Sequence, residues 1–149
     1  MAVTYGFYNS VSGDRKYDAR QMASIFDGVI VDGVYQSIGT ALIVTASSGL
    51  QVRVGIGRAW FNHTWTLNDA VLPLTLAPAD VVLSRIDAVI LEVDSRDAAR
   101  SNSIRVVTGT PSSSPLRPTL ANSDTVHQYP LAYVAVAPGA TSVQAADIT

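Results

Sequence analysis

The amino-acid sequence predicts a mainly β fold: an antiparallel β-sandwich or barrel-like domain with one short N-terminal α-helix. Three observations predict it. Beyond Gly39, apolar residues recur with a period of two. Clusters of Gly, Ser, Asn and Pro interrupt that pattern about every ten residues, as in sandwiches and barrels. Before Gly39, a single stretch has helical spacing instead. The expected organisation is an N-terminal segment with the helix, residues 1–38, and a β-rich domain, residues 39–149, together forming one compact unit.

The elements follow in chain order. Ser12-Gly13-Asp14 is a turn cluster, and Asp14 or Asp18 can cap the helix after it. Ala19 to Ile25 are good helix formers. Met22, Ile25, Phe26 and Val29 fall at i, i+3, i+4 and i+7, which is one helical face. Asp18 suits the positive end of the helix dipole, and Gly28 or Gly33 can end the helix. A helix this short needs its apolar face docked, because intrinsic propensity does not hold it.

The run Ala41 to Ala46 reads as a strand and Ser47-Ser48-Gly49 as a turn. Leu50, Val52, Val54 and Ile56 then alternate with polar residues or glycine, giving one buried face. Gly57 to Leu67 reads as a hairpin centred on Asn62-His63, with Trp60 opposite Trp65 as an aromatic pair. Asn suits the first turn position, whereas positive φ is costly for His63. Leu72, Leu74 and Leu76 alternate, and Pro73 limits their strand to an edge or a bulge. Arg85 to Asp94 is apolar on both faces in its middle, the pattern of a central strand. Ser95 to Asn102 is a charged turn, and Ile104 to Thr108 is the expected antiparallel partner. No regular element fits Gly109 to Val126, a length that points to a functional loop, a contact arm or a disordered stretch. Leu131 to Ala137 is a strand, Pro138-Gly139 a turn, and Ser142-Val143 the start of a short last strand.

Composition narrows the function. A chain of 149 residues suits one domain and, lacking cysteine, has no disulfide and no thiolate metal site. Ten basic and 12 acidic residues give a net charge of −2, which lacks the electrostatic footprint of a nucleic-acid binder. No apolar run reaches about 18 residues, so no membrane span is expected. Met1 to Gly6 has neither a basic region nor an apolar core, so no secretion signal is expected. Charged residues are 15%, against about a quarter in ordinary globular proteins. Such a surface suits a charge-lean monomer or a subunit partly covered by its own copies or by partners.

The sequence carries little that points to catalytic chemistry. The two histidines, His63 and His127, form no metal-ligand pair motif, and no cofactor is expected. Glu92 and Asp94 share a strand face, with Asp87 on the other, but they read as the solvated end of a strand entering a charged turn rather than as a glycosidase pair. There is no GxSxG elbow, and Gly55-Ile56-Gly57 lacks the third glycine and the helix of a dinucleotide motif. No enzymatic activity is expected. Trp60, Phe61 and Trp65 are the one aromatic group able to stack on sugar rings; a buried hairpin pair is the competing reading.

Four ordered segments carry a resemblance: Tyr8 to Ala19 with Ile25-Phe26-Asp27-Gly28 and Asp32-Gly33-Val34; Gly57 to Asn62; Arg85-Ile86-Asp87 leading to Glu92-Val93-Asp94; and Tyr129 to Val134 with Gly139 to Ser142 and Asp147-Ile148-Thr149. Together, over nearly the whole chain, they resemble the N-terminal domain of tail-tip and baseplate proteins from long-tailed phages and prophages of Gram-positive bacteria. The resemblance implies a virion structural protein of the distal tail, assembled in the host cytoplasm. It implies a homo-oligomer, expected to be a trimer, that joins other tail and baseplate proteins to receptor-binding parts. The turn and helix of residues 1–38 would be the attachment end, with Asp14, Arg15, Tyr17 and Phe26 as assembly residues. The alternative is a carbohydrate-binding module that contacts host cell-surface glycan through Trp60, Phe61 and Trp65. Two features depart from the family. Its hairpin more often carries Asn-Gly where Asn62-His63 stands. Its chains usually continue past Thr149, so a receptor-binding module is not expected within this sequence.

Overall fold

The central three-stranded sheet is built on β7, Arg85–Asp94, whose middle is apolar and whose ends are charged. β8, Ser101–Val107, and β9, Val126–Val136, flank it antiparallel, so β7 is the middle strand, as its pattern predicts. In this computed structural model, which describes residues 6, 8–26 and 28–149, two further antiparallel sheets pack with it. One has the order β1 (Gly33–Val34), β4 (Gly57–Phe61), β5 (Thr64–Asn68). The other has the order β2 (Val44–Ala46), β3 (Gln51–Val54), β6 (Leu72–Thr75). The sheets do not close into a barrel, and the arrangement is sandwich-like. Val52 and Val54 from β3, Phe61 from β4, Val89, Leu91 and Val93 from β7, and Val134 and Val136 from β9 make one apolar core. Burying that surface is the main source of stability, about 1.5–3 kcal/mol for each large side chain fully removed from water.

Several local expectations hold. Asp18 caps helix α1, Ala19–Ala23, through a capping box in which its carboxylate accepts from the Gln21 amide while Gln21 Oε1 accepts from the Asp18 amide. Asn62 and His63 take φ of 47° and 63°, the two positive angles of a type I′ turn, and place Trp60 in register with Trp65. Pro73 sits on an edge strand, where its missing N–H costs least.

Other expectations are corrected. The α-helix ends at Ala23 instead of reaching Ile25, because the chain tightens into a 3-10 turn over Ser24–Phe26. The strand expected from Ala41 starts only at Val44, because Ala41 and Leu42 adopt φ of 52° and 53°. That tight turn drives Leu42 into the core, 2% exposed, and it crosses directly over Gly55 and Gly57. A Cβ on Gly55 would lie 1.9 Å from Thr40 Oγ1, and one on Gly57 would lie 2.6 Å from the Leu42 nitrogen. The two glycines therefore serve close packing. Ile56 falls after the end of β3 and is exposed, although its spacing continues the buried face.

β9 begins at Val126, five residues before the expected Leu131. The register shifts between its pairings to Val89 and Ile90, so that Ala132 faces Val89 and Pro130 faces Ile90. This bulge accommodates a proline in a paired strand. No strand starts at Ser142: Val143 is buried, a 3-10 turn spans Ala145–Asp147, and Thr149 exchanges backbone hydrogen bonds of 2.7 and 2.9 Å with Tyr133. The segment from Gly109 to Thr125 is irregular and follows the body, with isolated bridges Ser84–Ser112 and Asn122–His127. The Arg117 guanidinium lies 4.1 Å from the centre of the Tyr133 ring.

Candidate functional site

β4 alternates its side chains. Ala59 and Phe61 point into the core, while Arg58 and Trp60 point to the other face. Trp65 and Leu67 of β5 share that outer face, since Trp65 pairs with Trp60 and Leu67 with Arg58. Trp60 is nevertheless 8% exposed, because Phe26 packs edge-on against it with ring centroids 5.7 Å apart. The helix is thus held over the hairpin by an aromatic contact. Trp65 stays 62% exposed, with the Arg58 guanidinium 5.5 Å from its ring centre.

Between α1, the β4–β5 hairpin and the β7–β8 turn lies a groove of about 800 Å³. Met22, Ile25 and Phe26 form its helical wall, and Trp60 and Trp65 its floor. Arg20, His63, Arg100 and Asp124 give it a polar rim. Asn102 from β8 bonds Thr64 Oγ1 at 2.9 Å and Thr66 Oγ1 at 2.7 Å, which ties the hairpin to the central sheet and makes this floor rigid.

The residues singled out from sequence separate into distinct places. Asp14, Arg15 and Tyr17 lie together. Asp14 Oδ1 accepts from the Val11 amide at 2.7 Å, its Oδ2 is 3.6 Å from Arg15 Nε, and the Tyr17 hydroxyl accepts from the Tyr8 amide at 2.9 Å. This cluster shapes an exposed turn. Phe26 sits apart from it, on Trp60. Phe61 lies on the opposite side of β4 from the two tryptophans, stacked on Tyr129 at 3.9 Å between ring centres, so the three aromatics do not form one platform.

The carboxylates of β7 each have a basic partner. Glu92 accepts from Arg105 and Gln128, and the Arg105 guanidinium holds its pKa below the usual glutamate value. Asp94 is lowered by its ion pair with Arg96. Neither pattern suits a general acid, which needs a raised pKa. Asp87 is fully buried. It accepts from Arg85 Nε at 2.9 Å and from the Gly109 amide at 2.8 Å. Arg85 also donates to the carbonyls of Pro78 and Ala77, at 2.7 and 2.5 Å. Arg85-Ile86-Asp87 is therefore a clasp that fastens two loops to the central strand. Its sequence signal, charges flanking an apolar residue at a strand start, gives no hint of these distant partners.

A second junction was also hidden in the sequence. Asp32 accepts from the Asn62 amide at 3.2 Å and from the Tyr129 hydroxyl at 3.3 Å. Burial, with the Asp32 charge beside it, pushes the Tyr129 hydroxyl up to about 12. Among the described residues, no group of three or more His, Asp or Glu is placed to hold a metal ion. No helix among them is long and apolar enough to cross a membrane. Compared with protein-family models, curated proteins and solved structures, the chain matches none.

Proposed function

We propose that this chain is a non-enzymatic structural module of a phage distal tail or baseplate, a homotrimer that joins the tail tip to receptor-binding parts. One observation carries the assembly part of this reading: a charge-poor chain leaves several described apolar residues of its N-terminal segment in solvent. Val11, Val29 and Val31 are each more than 70% exposed, and Met22, Ile25 and Phe26 more than 40%. Apolar surface of this kind on a lone subunit favours association. The tail location rests on the resemblance of the four ordered segments. Light scattering on the purified protein is expected to give three times the chain mass, and a stable monomer at high concentration would count against the reading. Antibody labelling of purified virions is expected at the distal tail; virions lacking the protein would refute that location.

The second reading, glycan binding, is favoured by Trp65, whose exposed ring stands beside the polar rim of the groove. Glycan-array binding lost in a folded Trp65→Ala variant would support it. Phe61 plays no part in that version, since its ring is in the core.

A further inference from the structure

Trp65 borders a groove large enough for a small ligand. Its indole is 62% exposed, and the groove of about 800 Å³ falls within the range of about 300–1,000 Å³ that small-molecule sites occupy. The floor is fixed, because Asn102 ties Thr64 and Thr66 to the central sheet. A floor ordered before binding loses little freedom when a rigid ring is laid on it. Indole rings pack against the C–H faces of pyranose sugars. The Arg58 guanidinium, 5.5 Å from the Trp65 ring centre, sets a positive charge beside this platform.

A second basic group stands on the groove against its backbone preference. Arg100 takes φ of 43°, a left-handed angle that is costly for a residue with a Cβ and that glycine adopts freely. Arg100 lines the groove, is exposed, and belongs to no ion pair among the described residues. The turn that carries it is held in place. Asp94 Oδ1 accepts from the Arg96 amide at 3.0 Å and from Arg96 Nε at 2.9 Å, and the Arg100 amide donates to the Arg96 carbonyl at 3.0 Å. Asp94 also lines the groove, but its charge is matched by Arg96 and does not cancel that of Arg100. The Ser95 amide donates to the Thr125 carbonyl at 2.8 Å, which brings Asp124 to the same rim. Arg20 adds a further guanidinium from the helical wall.

Resting on the glycan-binding reading, we infer that this groove takes an acidic sugar, a pyranose whose ring packs on Trp65 and whose carboxylate is held by Arg100. A guanidinium offers two parallel N–H donors that match the two oxygens of a carboxylate, a fit that an ammonium does not reproduce. Arg20 and Arg58 add positive potential around the platform, which favours a charged sugar over a neutral one. Asp124 is placed to accept from the ring hydroxyls. A carboxylate partner also accounts for an arginine where the backbone favours glycine, since strain of this kind is kept where the side chain has a task.

The test is an array of glucuronic, galacturonic and mannuronic acid oligosaccharides, each printed beside its carboxyl-reduced, neutral form and among other neutral glycans. The protein is expected to bind at least one acidic oligosaccharide at least tenfold more tightly than its reduced form. Equal binding to both forms, or binding to neutral glycans alone, overturns the acidic ligand and leaves the glycan-binding reading standing. Binding to no glycan on the array overturns both. Arg100→Gly separates recognition from folding, because glycine relaxes the backbone at this position. Its urea midpoint is expected to equal or exceed that of the parent, while its preference for the acidic form over the reduced one falls to near unity. A folded Arg100→Gly protein that keeps the full preference overturns the assignment. Arg100→Asn, whose side chain also tolerates a left-handed angle, repeats the measurement if Arg100→Gly does not fold.

Discussion

Along β7, polar groups are buried and satisfied, whereas along residues 8–31 large apolar groups are exposed and only partly packed. Arg85 and Asp87 are 3% and 0% exposed, yet their charges are paired and further bonded to three backbone groups. Among the described residues, no buried side-chain nitrogen or oxygen lacks a partner. The N-terminal segment has the reverse arrangement. Its polar groups form local turns and a cap, while Val11, Met22, Val29 and Val31 face solvent. The difference teaches where each region finds its stability. The β body is finished within one chain. The described part of the helical segment meets the body through Phe26 on Trp60 and leaves much of its apolar side in solvent.

The largest expected effect breaks the body. Asp87→Ala leaves the Arg85 guanidinium buried without its counter-charge and the Gly109 amide without an acceptor. Loss of one partner of a buried pair costs about 3–5 kcal/mol, to be read from urea unfolding. Gly109→Ala comes next, because its Cβ would lie 2.0 Å from the Ile86 carbonyl oxygen. Overpacking against backbone is expected to cost about 1–3 kcal/mol in the same measurement. If either variant unfolds like the parent, the clasp does not hold the body together.

Two smaller effects sharpen the contrast. The folded state holds the Tyr129 phenol neutral to about 12, above its ordinary value of 10.0. Its contribution is therefore complete below the unfolded value and is lost as pH rises through the folded one. Thermal melts are expected to show an alkaline decline in that window which Tyr129→Phe lessens; equal declines in both proteins would remove Tyr129 as its source. The smallest effect is expected in the helical segment. Phe26→Ala removes an edge-on contact worth about 0.5–1.5 kcal/mol beyond the area it buries. It should unfold the β body far less than Asp87→Ala does, and an equal loss in urea would erase the distinction between the two regions.

How much of this was legible depended on range. The central place of β7 and the Asn62-His63 turn follow from residues within a few positions of one another, whereas local sequence left the cap to Asp14 or Asp18 and Pro73 to an edge or a bulge, and the structure resolves these to Asp18 and an edge. The turn at Ala41 and Leu42 was not legible, since its apolar run reads as a strand until Gly55 and Gly57 are known to lie beneath it. The first half of β9 was hidden by Pro130, which a bulge opposite Ile90 makes acceptable. At the groove, Trp60 and Trp65 were readable as a pair across a hairpin. The placing of Phe26 over Trp60 was not, because it joins residues distant in sequence.

By itself, then, the sequence determined the β class, the alternation that selects a buried face, the turn chemistry and the helix start, because these are set by local backbone preference and side-chain period. Only the tertiary structure decided that Arg85 and Asp87 clasp two loops, that Phe61 goes inward while Trp65 stays out, and that Phe26 of the helical segment meets Trp60 of the hairpin. Those outcomes depend on which distant surfaces meet, and their energies come from burial and from polar groups finding partners far along the chain.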